Sequence, residues 1–209
     1  MTASLTPEDI DVIGQVRSSY SAVAIVLHWL IAALIFANIA LAWWFNTLPR
    51  SSQIAPEQWH KLIGLSVLAL SLARLAWRFI KPPPPLPDTL SAGERWAART
   101  VYTLFYVFMI GMPLSGWAMI SASKYAHVFF NKVPLIGMPW PLIAPIDHLA
   151  PGPKLQAEHL FVFTHEKLAW LAYALIILHV AAALRHHFLL RDDVLPRMAP
   201  LFGRKPRPS

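Results

Sequence analysis

Nine histidines and no cysteine set the chemistry open to this chain of 209 residues. Four of the histidines sit where imidazole is costly: His28 in VLHWL, His60 in WHKLIGL, His165 in FTHEKLAW and His179 in ILHVAAAL. Ionisable side chains among so many apolar neighbours turn toward an interior partner. For any one of them alone, that partner can simply be an interhelical hydrogen bond. Two of them share a helical face. His165 and His179 are 14 residues apart, which is four turns less about 40° and about 21 Å along a helix axis. Facing imidazoles can hold a haem iron from both sides; with further ligands they can bind zinc. The lack of cysteine excludes disulfides, thiolate metal sites, cysteine-ligated iron–sulfur clusters and covalent CxxCH attachment of haem. Any haem here is held by histidine, non-covalently.

The elements that position these residues follow from charge-free intervals. Hydrophobic residues make up 56% of the chain and charged residues 14%, against roughly 25% charged in soluble domains. The mean hydropathy is +0.46. A net charge of +7 on so apolar a chain reads as membrane topology and not as a nucleic-acid partner. No Asp, Glu, Lys or Arg occurs in the 32 residues between Arg17 and Arg50, nor in the 24 between Arg99 and Lys124. A spanning helix needs about 20 apolar residues. Four spans are expected, at about 21–45, 59–80, 99–121 and 165–190. Residues 1–19 form a polar tail and 191–209 a basic one. The first span is too long for a signal peptide, and no small-residue cleavage site follows it. The KPPPPLP run cannot continue a helix. The Pro- and Gly-rich segment 121–157 is the longest connection and is expected to cap the outer mouth or lie on the surface.

Twelve of the Lys and Arg residues fall on the side of the termini and six on the other, so the positive-inside rule places both termini in the cytoplasm. The fold class is an all-α membrane protein, four transmembrane helices in an antiparallel up-down bundle. That topology pairs the histidines by depth. His28 and His179 come level toward the inner side, and His60 and His165 toward the outer side. A slip of two turns would put either pair roughly 10 Å out of level. The expected sites are therefore two bis-histidine haems, inner at His28 and His179 and outer at His60 and His165. Such ligation leaves no open iron position and favours electron transfer. The alternative, metal transport, lacks an intramembrane carboxylate and would leave zinc short of ligands.

Other residues serve the same sites. Arg74 lies 14 residues beyond His60 on the same face, near the inner pair. It can pair with a haem propionate or a quinone oxygen, or snorkel to the interface. Lys61 and Lys167 adjoin the outer pair and can bind propionates, attract anions or anchor the interface. His186 and His187 beside Arg185 can accept protons or simply be solvated. Met109, Met112 and Met119 are read as core filling. His127, His148 and His159 are poorer candidates by position.

The segments YSAVAIVLHWLIA, WHKLIGLSVLALSLARLAWRF and HEKLAWLAYALIILHVAAALRHHFLLRDDVLPRM, with an MPLSGW turn in the third span, resemble the bacterial cytochrome b561 family of four-helix di-haem membrane proteins. The similarity covers roughly residues 20–198. It implies axial ligation at His28, His60, His165 and His179, two b-type haems, a place in the bacterial inner membrane and electron exchange with quinone. It further implies an outer partner, superoxide or a periplasmic redox protein; the alternative is a haem-bearing anchor subunit of a larger oxidoreductase. The polar N-terminal extension and the Pro-rich outer segment depart from the family pattern.

Overall fold

The computed structural model describes residues 20–86, 91–125, 141–190 and 195–199. Four long helices carry nearly all of them: α1 (Ala22–Asn46), α2 (Ile54–Ile80), α3 (Ala92–Ala122) and α4 (Pro151–Arg185). All four, the last continuing to Leu190, are long and apolar enough to cross a membrane. The protein is an all-α membrane protein, and no strand occurs among the described residues.

The helix ends have local causes. Ser21 caps α1 through its hydroxyl, which accepts from the Ala24 N–H. Ser91 and Glu94 form a capping box at the start of α3. The proline run stops α2 after Ile80. The helices outrun the apolar stretches. α3 begins at Ala92, and α4 begins at Pro151, so His165 is well inside it. The proline at the first position of α4 is pre-set for helix. The helix then carries on past the hydrocarbon core: 35 residues extend about 52 Å, against a core of about 30 Å. The MPLSGW segment is not a turn: Met112–Trp117 is continuous helix within α3. Pro113 leaves the Met109 carbonyl without its usual donor, a defect that membrane helices tolerate because neighbours re-satisfy the backbone. α4 ends in a π turn, His186–Leu190.

Each helix packs on the next in sequence. Ile31, Val67, Phe108, Met109, Ala172 and Leu175 form the buried centre of the bundle. The backbones of α1 and α4 stay further apart, and side chains bridge them. The Trp43 indole donates to the Tyr173 hydroxyl at 3.0 Å. Of the long connection between α3 and α4, residues 123–125 and 141–150 are described. Trp117 donates to the Pro141 carbonyl at 2.6 Å and the Ile143 N–H to Ser121 at 2.9 Å, fixing this piece to the end of α3. Residues 126–140, with His127, and both tails lie outside the described residues.

Candidate functional site

Two histidine pairs bridge the helices. His60 of α2 and His165 of α4 have ring centres 6.3 Å apart. His28 of α1 and His179 of α4 have ring centres 6.1 Å apart. No hydrogen bond joins the rings of either pair. Those separations suit a metal between the rings. A metal–imidazole bond of about 2.0 Å, plus about 1.1 Å from nitrogen to ring centre, puts two axial imidazoles about 6.2 Å apart. Among the described residues no three His, Cys, Asp or Glu converge. Each pair is thus a two-ligand set, as axial ligation of a haem requires and a zinc site does not.

The outer pair is held by polar and small residues of α3. Ser115 Oγ stands 3.0 Å from His165 Nδ1 and donates its one hydrogen to the Met112 carbonyl at 2.8 Å. With that hydrogen engaged, the hydroxyl can accept from an Nδ1–H, and in that tautomer the Nε2 lone pair is left for a metal. Gly116 gives the ring its room: a Cβ there would lie 3.0 Å from His165 Cε1 and 3.3 Å from Nδ1. His60 has Phe45 edge-on at 5.6 Å. Its Nδ1 is buried without a hydrogen-bond partner, as is the Asn38 amide oxygen. Asn38, Phe45, His60, Gly116 and His165 line a cavity of 520 Å³, well within the range of ligand sites. Its rim includes Arg50, Glu57, Lys61, Glu158 and Glu166. Lys61 lies on this cavity, whereas Lys167 lies over the Phe163 ring, 5.1 Å from its centre.

The inner pair has aromatic walls. Trp29 lies 5.4 Å from His28 and Phe105 lies 5.1 Å from His179. The Trp29 indole donates to the Met198 carbonyl at 2.8 Å, so the turn at 195–199 closes this end. Arg74 comes close to His28 and donates to the Ala24 carbonyl. Nearby, just outside the span, burial pushes the Tyr20 phenol above its usual range, against the opposing pull of Arg78 and Arg74. His186 lies within the field of Glu94, and His187 packs on Phe188 at 4.8 Å. Neither joins the pair.

Sequence reasoning missed Ser115, Gly116, Trp29 and Phe105. The adjacent small residues Ser115 and Gly116 were the available signal, since such residues let spanning helices approach closely. Nothing local shows that His165 is what approaches.

A bundle of four helices of membrane-spanning length with two imidazole pairs between them has the make-up of a membrane haem protein of electron transfer. The family model of prokaryotic cytochrome b561 matches residues 19–200, and the chain belongs to that family. Cytochrome b561 homolog 2 of Escherichia coli (strain K12) is 32% identical over 184 residues, covering 86% of this chain and 90% of its own length. The probable superoxide oxidase CybB of Yersinia pestis is 30% identical over 188 residues, covering 88% of this chain and 97% of its own. A cytochrome b562 of Cereibacter sphaeroides is 24% identical over 188 residues. The protein is therefore a membrane b-type cytochrome of electron transfer, multi-pass in the bacterial inner membrane.

Proposed function

We propose that the chain carries electrons across the membrane through two b-type haems, one held by His28 and His179 and the other by His60 and His165. Its partners are membrane quinone and an outer donor or acceptor, superoxide or a periplasmic redox protein, with both termini cytoplasmic. The observation that carries this reading is the pair of ring separations, 6.1 and 6.3 Å. A relative described as a probable superoxide oxidase supports superoxide as the outer partner.

Held by these histidine pairs, haem would supply one-electron transfer. The rest of the work falls to the chain. Ser115 holds the His165 proton on Nδ1 and so presents Nε2 inward. Trp29 packs edge-on against His28 and Phe105 against His179. Lys61 on the outer cavity and Arg74 by the inner pair are placed to balance propionate charge.

Haem content and reduced-minus-oxidised spectra of the purified protein test the reading. Two low-spin b-type haems per chain, reducible by superoxide or quinol, are expected. A chain with one haem, or with none, overturns it.

A further inference from the structure

The end of the bundle where α1 begins carries a second polar cluster, which meets the His28–His179 pair only through Arg74. Arg74, Arg78 and Lys81 follow one another at spacings of four and three residues, along one side of α2 and its exit. With Tyr20 and Tyr106 they line a small pocket that neither His28 nor His179 reaches. No Asp or Glu is among its lining residues. Among the described residues no carboxylate pairs with Arg74, Arg78 or Lys81.

Four segments hold the cluster in place. Arg74 donates to the Ala24 carbonyl, and the Trp77 indole donates to Ser21 Oγ at 2.9 Å, which ties the start of α1 to α2. The Arg78 guanidinium sits over the Tyr102 ring of α3, 5.9 Å from its centre. Arg197 arrives from the turn at 195–199 and donates to the Pro85 carbonyl at 3.2 Å, its field reaching Tyr20. A single basic residue at a helix end needs nothing beyond snorkelling to water. Here several cations and a phenol converge from separate parts of the chain, and among the described residues no carboxylate lines the pocket.

We propose that this pocket binds a phosphate group at the membrane surface. Two sources share that chemistry, an anionic phospholipid headgroup and free phosphate. Position favours the lipid. Arg78 and Lys81 are exposed at the level where the span ends, with Arg74 half-buried behind them. Basic pockets at that depth take anionic headgroups, through charge-assisted hydrogen bonds. The charge and hydroxyls supply the binding; no covalent step is involved.

The test uses the full, haem-loaded protein, reconstituted with equal phosphatidylglycerol and phosphatidylcholine and then stripped with detergent. Retained lipid is counted by mass spectrometry, with and without millimolar inorganic phosphate. The double variant Arg78→Gln, Lys81→Gln is compared with Lys124→Gln at the opposite end, and haem spectra check that each is folded. Arg74 is left intact because it also adjoins the inner pair. Preferential retention of phosphatidylglycerol is expected, falling about thirtyfold in the double variant and unchanged in Lys124→Gln. Displacement of the lipid by inorganic phosphate would still support the site and identify free phosphate as a competent source. Equal retention of both lipids, together with no phosphate binding, overturns the proposal. So does a preference that survives in the folded double variant, because it would reside elsewhere.

Discussion

The two histidine pairs have nearly the same ring spacing, 6.3 Å outside and 6.1 Å inside, in opposite surroundings. The outer pair faces a 520 Å³ cavity with a charged rim and leans on a hydroxyl and a glycine. The inner pair is walled by Trp29 and Phe105 and closed by the turn at 195–199. Equal spacing is what a shared role as a two-ligand set would require, and the surroundings differ in polarity. Charged side chains beside one pair and aromatic rings beside the other give the two ends of the bundle different contacts, as the proposed transfer from end to end would use.

The sharpest way to break the comparison is to remove one ligand. His165→Ala should abolish the outer low-spin signal and leave the inner one, and His179→Ala should do the reverse, as read in reduced-minus-oxidised spectra. Next in size is Gly116→Ala. Its methyl would press on His165 at 3.0 Å, so a shifted or weakened outer signal is expected with the inner one unchanged. Gly111→Ala is the control, because its methyl would meet only the Leu168 side chain, at an ordinary 3.9 Å. Ser115→Ala leaves the His165 Nδ1–H without its hydroxyl acceptor. Loss of such a partner costs about 10- to 100-fold in affinity at metal sites, so haem titration should show weaker outer binding only. The smallest effect is expected from Trp29→Phe, which keeps a ring beside His28 but cuts the bond to Met198. Faster hydrogen exchange at 195–199 with both haem signals retained is the expected result.

Much of this architecture is legible in the sequence because a bilayer imposes one-dimensional rules. Charge-free runs mark the spans, and helical arithmetic brings His165 and His179 to one face. The rest depends on how neighbouring helices are set against one another. Ser115 and Gly116 lie about 50 residues from His165, and no local pattern announces that they touch it. MPLSGW reads as a turn from its Pro and Gly, yet it stays helical where neighbouring helices support the backbone. The early start of α4 is hidden because Pro151–Thr164 is partly polar and falls outside an apolar window. The cationic pocket is hidden for the same reason as Ser115, since Tyr20 and Tyr106 meet Arg74 only in the folded bundle.

Haem stoichiometry in paired double variants tests the central claim most directly. His28→Ala with His179→Ala removes both members of one pair, and His28→Ala with His165→Ala removes one member of each. Two independent pairs predict one remaining low-spin haem per chain in the first double variant and none in the second. One low-spin haem retained in the second, or none in the first, would contradict the pairing.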